Sequence, residues 1–326
     1  MRRTWHFFAE EQWQIGIWMI SVITLMCANS YFFPLSTFSL LIDIPSSCAY
    51  ILFLVSLFIL GFLVVNSFIY TNRIILFIFL VLLSSAIYWT NYLPKKEKQI
   101  QSPMPNIIFL GIDSLSPESV TPINMPFLNN LLQKNTQFTN SISPLARTYP
   151  AWSSILTGLY AQHHHAQENL MPKRLVNSQA SMVWLLNQKG YNSIFATDDR
   201  RFNGIDTDFG FNKIIGPKIG VNDVLLGSFN DFPLSNLMIN TAISSWLFPY
   251  NYINRASFYL YYPATFSAKL EYALARENAN KPLFLAVHFT LPHWPYAWAE
   301  SSPLQLNNEF SLENRNSLYQ ASLHRV

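Results

Sequence analysis

The side chains best suited to chemistry follow the ends of predicted strands. Asp113 comes directly after the apolar run 106–112, and His293 comes four residues after the apolar run 282–289. Thr148 precedes a segment with helical spacing, where free backbone N–H groups and the helix dipole favour an anion. Carboxylate and imidazole groups bind divalent metals, and a metal can activate a hydroxyl as a nucleophile. This set predicts a metal-assisted hydrolase or transferase that acts on an anionic ester.

Several of these side chains also have a structural interpretation. Asp113 could cap a turn, and Thr148 could cap the helix that follows it. Asp198 and Asp199 follow a short predicted strand, and they could form a surface turn that continues into two arginines. His288 lies inside an apolar strand, so we predict a hydrogen-bonded core histidine there. We predict metal binding for Asp113, a nucleophilic role for Thr148, and metal or substrate binding for His293, which two prolines flank.

A run of three histidines, His163-His164-His165, is a further candidate metal site. Three adjacent side chains on a regular element cannot all face one ion, because successive residues point in different directions. No second cluster of metal-binding residues accompanies the run in the sequence. We therefore interpret it as structural or surface-exposed.

Alternating strand and helix patterns from residue 106 onward must position the reactive side chains. Strand-like runs cover 106–112, 193–196 and 282–289, and helical patterns cover 126–134, 151–157, 181–189 and 265–278. Such alternation favours an α/β fold with a mostly parallel sheet, in which ligands bind beyond the carboxyl ends of the strands. Residues 203–262 show no clear order.

The first third of the chain is nearly free of charge. Charged residues make up 12% of the chain, whereas about 25% is usual for soluble domains. Three apolar runs, at about 15–33, 49–70 and 74–93, approach the roughly 20 residues that a transmembrane helix needs. We predict three transmembrane helices in residues 1–93. A cleaved signal peptide is the alternative for the first run.

The positive charges predict how the chain is oriented in the membrane. Arg2, Arg3 and Arg73 place the N-terminus and the second loop in the cytoplasm by the positive-inside rule. We therefore expect a multi-pass protein of the plasma (inner) membrane. Residues 94–105 form a linker, and the domain 106–326 lies on the extracytoplasmic side. The net charge of +3 is small and scattered, which excludes nucleic acid as an expected partner.

Three segments resemble motifs of the sulfatase family, within the alkaline phosphatase superfamily: 106–113 (NIIFLGID), 148–158 (TYPAWSSILTG) and 291–296 (LPHWPY). In sulfatases a Cys or Ser nucleophile opens a Cys/Ser-x-Pro-Ser-Arg motif, and Thr148 matches that position here. The resemblance implies an alkaline-phosphatase-like α/β domain with a mostly parallel sheet. It also implies a divalent metal ion (zinc, manganese or calcium) bound by Asp113 and Thr148.

The sequence departs from the sulfatase pattern at several positions. A Thr at 148 is similar to the phosphodiesterase and the phosphoethanolamine- or phosphoglycerol-transferase branches. Trp152 replaces the motif Arg, and Ser114 stands where sulfatases usually carry a second Asp. Both cysteines lie in the first third, so a formylglycine made from Cys is excluded. In sulfatases a late strand carries an Asp-His or Asp-Asn pair that completes the metal site. Residues 317–326 resemble the helix before that strand, and no such pair follows them, so we expect the domain to be incomplete at its C-terminus.

These observations predict a membrane-anchored, sulfatase-like, metal-dependent hydrolase or transferase. Its expected partners are the lipid bilayer and an anionic phosphate or sulfate ester, carried by a lipid head group, a glycan or a nucleotide-like compound. The alternative is a degenerate, non-catalytic membrane protein that binds an anionic glycan or lipid head group. Trp152, the unpaired Asp113 and the missing C-terminal ligands motivate that alternative.

Overall fold

A computed structural model gives the fold of the chain. It describes residues 2–33, 36, 38, 51–62, 104–218, 231–241, 243–257, 260–278, 280–294, 296 and 312–323.

A parallel sheet lies at the centre of the second part of the chain. Its strands are β1 (Ile107–Ile112), β2 (Asn192–Thr197), β3 (Lys213–Ile215) and β4 (Leu283–Phe289). They are arranged in the order β1-β4-β2-β3, and every pair is parallel. The three predicted strands are confirmed. The apolar run of β4 is typical of a strand buried on both faces. The three-residue β3 is too short to show such a pattern.

Helices surround the sheet and precede it in the chain. They are α1 (Arg2–Phe32), α2 (Ile51–Phe62), α3 (Pro126–Gln133), α4 (Thr148–Thr157), α5 (Ala161–His164), α6 (Met182–Gln188), α7 (Pro233–Ile239), α8 (Ser244–Leu247), α9 (Pro263–Leu274) and α10 (Leu312–Leu323). Gly158 ends α4 in the left-handed conformation, with φ of 68°, as glycine does after many helices. The short α7 and α8 lie in the region that showed no clear order in the sequence.

Two apolar layers cover the sheet, one on each face. Phe195 and Phe284 point to one face, where they pack with Trp152 of α4. Ile194 and Leu285 point to the opposite face, because side chains alternate along a strand. They pack there in a second cluster that includes Phe266 of α9. β2 and β4 are thereby held from both sides, whereas β1 packs on one face only and exposes Ile108 and Leu110 on the other.

The strand register brings the predicted reactive positions to one edge of the sheet. Ile112 at the end of β1 pairs with Phe289 at the end of β4, and Thr197 of β2 pairs with His288. The ladder continues one step further, because the N–H of Asp113 donates to the carbonyl of Phe289 at 2.8 Å. The prediction of a common edge for the residues after β1, β2 and β4 is therefore confirmed.

The N-terminal part contains one helix that is long and apolar enough to cross a membrane. This stretch is Ile15–Phe32 within α1, and the statement covers the described residues only. The second predicted span contributes the shorter apolar helix α2, and its remaining residues lie outside the described ones, as does the third span. Within the described part of the chain, one helix rather than the predicted three therefore has the length and apolar composition of a membrane span. Of the predicted linker, 94–105, only its last two residues are described.

Candidate active site

Asp113 and Thr148 meet at the carboxyl edge of the sheet. Asp113 follows β1, and Thr148 is the first residue of α4, three residues earlier than the helix predicted from the sequence. The Thr148 hydroxyl donates to Oδ2 of Asp113, with 3.3 Å between the oxygens. Arg147 before it is extended, with φ of −146°, so the hydroxyl sits at the point where the chain turns into the helix. The structure therefore brings together the two residues predicted to bind a metal.

The start of α4 offers fewer backbone donors than the sequence suggested. The N–H of Tyr149 donates to Oδ1 of Asn169 at 3.1 Å, and Pro150 has no N–H. The N–H of Ala151 already bonds to the carbonyl of Arg147. Only the N–H of Thr148 lacks a hydrogen-bond partner among the described residues. The expectation of several free N–H groups for an anion is therefore wrong, and the hydroxyl is the main group that this helix end presents.

His288 also faces Asp113, contrary to the prediction of a satisfied core histidine. Its side chain is 3% exposed, and Nε2 lies 3.6 Å from Oδ2 of Asp113. Burial lowers the pKa of His288 to about 4, so the imidazole is neutral at physiological pH. Its Nδ1 has no hydrogen-bond partner within the described part of the chain. His288 is thus a neutral nitrogen donor next to the Asp113 carboxylate.

Trp152 stands at the sulfatase-motif Arg position, where it packs beside the site. Its ring centroid lies 5.3 Å from that of His288, in an edge-on arrangement. A Cβ added to Gly111 would lie 2.5 Å from Cζ2 of Trp152. Gly111 in β1 therefore leaves the space that the indole fills. Trp152 thus makes an apolar contact with His288 at the position where the sulfatase motif has a positively charged Arg.

Asp198 and Asp199 are both buried, which contradicts their interpretation as a surface turn. Asp198 accepts hydrogen bonds from the Tyr261 hydroxyl and from the N–H and hydroxyl of Thr290, each at 2.8 Å. Burial raises the pKa of Asp198 to about 6. Asp199 forms an ion pair with Arg201, whose Nη2 lies 2.7 Å from Oδ2. Asp198 therefore holds the strand ends together, whereas Asp199 contributes to the wall of the cavity described next.

A cavity of about 390 Å³ lies at this edge of the sheet. Asp113, Thr148 and His293 all contribute to its wall, so the three site residues predicted from the sequence share one cavity. Its remaining lining residues come from the segments after β2 and before α9, and from β4 and the segment after it: Asp199, Arg201, Phe202, Asn203, Arg255, Ala256, His288, Thr290 and Trp294. The cavity is thus built from loops that the parallel strands hold in place.

His293 is held with one ring nitrogen available to the cavity. Nδ1 lies 2.8 Å from the carbonyl oxygen of Trp294, and since a carbonyl only accepts, Nδ1 carries the proton. Nε2 is then the nitrogen that can accept a proton or donate one after protonation. The ring stacks on Phe202, with 6.5 Å between centroids. These contacts suit a group that exchanges a proton with a bound ligand.

Arg255 places a buried positive charge at the cavity, and nothing in its local sequence indicated this role. Its N–H donates to the carbonyl of Asp198 at 2.8 Å, and Nη2 donates to the carbonyl of His293. The side chain is buried, and Nε lacks a hydrogen-bond partner among the residues described. Arg255 thus brings a buried guanidinium group to the cavity wall, where the charges of Asp199 and Asp198 act on it.

The loop after Asp113 is fixed by a residue from the far end of the chain. Tyr319 of α10 donates to the carbonyl of Ser114 and accepts from the N–H of Ser116, both at 2.9 Å. Ser114 has a positive φ of 58°, which is uncommon for a non-glycine residue. Its hydroxyl lies 3.4 Å from Oδ1 of Asp113. Ser114, at the position where sulfatases usually carry a second Asp, is thus adjacent to Asp113 and held by Tyr319.

The histidine run does not form a metal site. His164 is buried and accepts from the N–H of Ala166 through Nδ1 at 3.0 Å. Its Nε2 therefore carries the proton and donates to the hydroxyl of Ser154 at 2.9 Å. His163 and His165 are exposed. The structure agrees with a structural role for the run, and it also excludes His164 as a base for Ser154.

Three possible metal donors lie at this edge of the sheet. They are the carboxylate oxygens of Asp113, the hydroxyl oxygen of Thr148 and an imidazole nitrogen of His288. These donor types suit zinc or manganese. The described residues nevertheless contain no group of three or more His, Cys, Asp and Glu side chains that could hold a metal ion. Catalytic zinc sites usually have three protein ligands of these types. The donors present fit a divalent ion in kind but are incomplete in number.

The fold and the site define an α/β protein whose Asp and Thr meet at the carboxyl edge of a parallel sheet. The sequence model of the family described as Sulfatase matches residues 105–324. This match covers more than half of the chain, and the chain belongs to the sulfatase family.

Two further comparisons add little to this assignment. A comparison with curated proteins finds no match. Among solved structures, a crystal structure of Ps i-CgsB in complex with k-i-k-neocarrahexaose is similar, with a TM-score of 0.45 and 18% identity. The similarity covers 68% of this chain and 52% of that one. The chain therefore spans about half the length of this neighbour.

Proposed function

We propose that the chain is a membrane-anchored hydrolase or transferase of phosphate or sulfate esters, with Thr148 as the nucleophile. The observation that carries this proposal is the 3.3 Å contact between the Thr148 hydroxyl and the Asp113 carboxylate. The contact lies in the wall of a cavity that also contains the buried cation Arg255. A hydroxyl beside a carboxylate, at a site with a buried guanidinium group, suits attack on an anionic ester.

In the proposed reaction, Oγ1 of Thr148 bonds to phosphorus or sulfur while the bond from that atom to the leaving oxygen breaks. The hydroxyl proton passes to the Asp113 carboxylate. The leaving oxygen takes a proton from Nε2 of protonated His293. Water or an acceptor alcohol then attacks phosphorus or sulfur and gives its proton to Nε2 of His293, while the bond to Oγ1 breaks and Thr148 takes back the proton held by Asp113. A divalent metal ion held by Asp113 and Thr148 would supply positive charge that stabilises the transferred group.

The cavity favours a substrate with a negatively charged head and a polar body. Arg255 brings a guanidinium group to its wall, and Arg201 adds a second one that is paired with Asp199. Guanidinium groups bind phosphate and related anions through paired hydrogen bonds. Lipid head groups, glycans and nucleotide-like compounds all carry such groups, and we propose this substrate class.

The membrane anchor is proposed from α1. Its stretch Ile15–Phe32 has the length and hydropathy of a membrane span. Arg2 and Arg3 precede it, which places the N-terminus in the cytoplasm by the positive-inside rule. The chain after α1 would then lie outside the cytoplasm. With the two further predicted spans, the catalytic domain would also lie outside the cytoplasm, at the inner membrane.

The test compares threonine variants on para-nitrophenyl phosphate, bis(para-nitrophenyl) phosphate and para-nitrophenyl sulfate. Thr148→Ala should lower kcat/KM by roughly a thousandfold or more, and Thr148→Ser should retain part of the activity. The matched control is Thr157→Ala at the other end of α4, where the hydroxyl bonds to the carbonyl of Ser153. Equal activity of Thr148→Ala and Thr157→Ala would refute Thr148 as the nucleophile.

A second candidate function is binding of an anionic head group or glycan without catalysis. The observation that favours it is Trp152 in place of the motif Arg, together with the incomplete set of metal ligands among the described residues. Metal analysis of the purified protein separates the two candidates. A stoichiometric divalent ion that is lost in Asp113→Ala supports the enzyme, whereas its absence from folded protein that binds an anionic head group or glycan supports the binding protein.

A further inference from the structure

The C-terminal end of α1 is docked on the second part of the chain through buried polar side chains. Asn236 of α7 donates to Oδ1 of Asn29 and to Oδ1 of Asp231, both at 2.7 Å. Ser36 donates to the same Asp231 oxygen at 2.6 Å, and Asn29 donates to Ser36 at 3.0 Å. All four side chains are buried. A connected network of this kind fixes the end of α1 against α7.

An apolar cluster beside this network joins the end of α1 to the elements around α8. Phe33 packs there with Ile239 and Leu260, and Phe248 contributes to the same cluster. The Phe33 ring also meets that of Tyr262, with 5.5 Å between centroids. The surface next to α7 and α8 is therefore continuous with the point where the apolar helix ends.

That surface exposes large apolar side chains, which we name the interfacial surface. Its members come from α7, α8 and the residues just before them: Phe232, Leu234, Ile243, Trp246 and Leu247. Trp246 is 78% exposed and Leu234 is 62% exposed. Residues 232–250 contain no Asp, Glu, Lys or Arg. A large apolar patch without charge is unusual on a surface that faces water only.

Ring contacts connect the interfacial surface to the N-terminal part of the chain. Phe232 lies beside Phe38, with 5.5 Å between ring centroids, just beyond the end of α1. The ring centroids of Phe53 in α2 and Phe32 in α1 are 5.9 Å apart. The outer side of α2 is apolar and exposed, as at Phe58. The interfacial surface, α1 and α2 thus form one apolar region.

We propose that the interfacial surface lies in the head-group region of the bilayer that α1 enters. This inference rests on the proposed membrane anchor. The lipid bilayer is the occupant because an uncharged patch with Trp and Phe adjoins the end of a span-length helix, which is where aromatic residues meet the membrane interface. The buried network then holds the domain at a fixed angle to the membrane.

This arrangement brings the cavity within reach of lipid head groups. Arg255 contributes to the cavity wall, and Leu260 packs in the cluster with Phe33. Leu260 follows Arg255 by five residues, and five residues span at most about 18 Å. The cavity wall at Arg255 therefore lies within about 18 Å of this membrane-proximal cluster. The substrate class that fits is an anionic ester on the head group of a lipid.

The test places probes on the full chain in vesicles of phosphatidylethanolamine and phosphatidylglycerol. Single cysteines carry an environment-sensitive fluorophore in a Cys27→Ala, Cys48→Ala background, and the lipids carry a nitroxide near the head group. Leu234→Cys is compared with Leu185→Cys on α6, which is 63% exposed. Trp18→Cys reports on α1. We expect quenching at 234 several-fold stronger than at 185.

The outcomes separate this inference from the proposals on which it rests. Quenching at 18 without excess quenching at 234 over 185 overturns the interfacial surface and leaves the anchor intact. No quenching at 18 or 234 overturns both the surface and the anchor. Neither result depends on turnover, so loss of esterase activity would count against the proposed reaction alone.

A turnover measurement tests the substrate class. Leu234→Asp should lower the hydrolysis of vesicle-borne hexadecyl para-nitrophenyl phosphate about tenfold, and leave that of soluble ethyl para-nitrophenyl phosphate unchanged. Leu185→Asp should affect neither ester. An equal effect of the two aspartate variants on the vesicle-borne ester would overturn access from the membrane.

Discussion

The hydroxyl of Thr148 lies 3.3 Å from the Asp113 carboxylate, although the two residues are 35 positions apart in the chain. The contact forms because β1 ends at the same edge of the sheet to which α4 returns. His288 on the neighbouring strand approaches the same carboxylate oxygen, at 3.6 Å. One oxygen of Asp113 is thus the point at which three elements of the fold meet.

The close fit between Gly111 and Trp152 predicts a strong packing effect. Gly111→Ala would place a methyl group 2.5 Å from Cζ2 of Trp152, so the indole must move and should disturb His288. We expect a loss of about 1–3 kcal/mol in the free energy of unfolding, measured by urea titration with circular dichroism in detergent.

A double-mutant cycle supplies the control for this effect. Trp152→Phe removes the indole carbon that the new methyl group would meet, so Gly111→Ala should cost less in that background. We expect a coupling energy of about 0.5–3 kcal/mol. Additive effects of the two substitutions would show that the indole is not what requires glycine at 111.

The buried Asp198 predicts a specific dependence of stability on pH. Its pKa is raised from an ordinary 3.8 to about 6, so the folded state binds more protons than the unfolded state between these values. Stability from this group is therefore present below about pH 4 and is lost as pH rises to about 6. Relative to Asp198→Asn, the wild type should lose about 2–3 kcal/mol across that window.

Asp206 provides the control with the opposite sign. Hydrogen bonds from Lys173 and Thr207, with the Arg200 charge, lower the pKa of Asp206 despite its partial burial. Its contribution to stability is present above the ordinary pKa and is lost as the medium becomes acidic. Urea titrations from pH 2 to 8 should show the difference between wild type and Asp198→Asn changing between about pH 4 and 6, and that between wild type and Asp206→Asn changing only below about pH 4, with the opposite sign. Parallel curves would contradict the assignment for Asp198.

Ser114 predicts how the site can gain metal affinity. Its hydroxyl lies 3.4 Å from Oδ1 of Asp113, and Asp and Asn both tolerate its positive φ. Ser114→Asp adds a carboxylate and should raise the affinity for Mn²⁺ or Zn²⁺ roughly tenfold. Isothermal titration calorimetry measures this change. Ser114→Asn has the same shape without the charge, and equal affinities of the two variants would rule out a metal at Asp113.

The sequence predicted the parts of the fold that carry long apolar patterns. β1 and β4 are apolar runs, β2 has a short apolar centre, and the ends of all three agree with the structure within one residue. Helix α9 begins at Pro263 and ends at Leu274, whereas the sequence suggested 265–278. Its start follows from proline, which favours the first turn of a helix. The short α7 and α8 gave too few residues for a periodic pattern.

The site was predictable where a reactive residue follows a strand directly. Asp113 and His293 were identified on that basis, and Thr148 from its place before a helix and from the resemblance to the sulfatase motif. All three line one cavity. His288 and Arg255 were missed because their roles depend on tertiary contacts. His288 reaches Asp113 only through the pairing of β1 with β4, and Arg255 is brought to the cavity by its hydrogen bond to the Asp198 carbonyl. No local pattern marks either residue.

Covalent modification of Thr148 during turnover is the most direct test of the proposed reaction. The full chain would be mixed with para-nitrophenyl phosphate or sulfate, quenched in acid, digested and analysed by mass spectrometry. His293→Ala serves as a second sample, because this leaving group needs no proton from His293 and only the later attack by water is then slowed. The account predicts a phosphoryl or sulfuryl group on Thr148, absent from the Thr148→Ala protein. Turnover by Thr148→Ala at the wild-type rate, or a modified residue elsewhere, would contradict it.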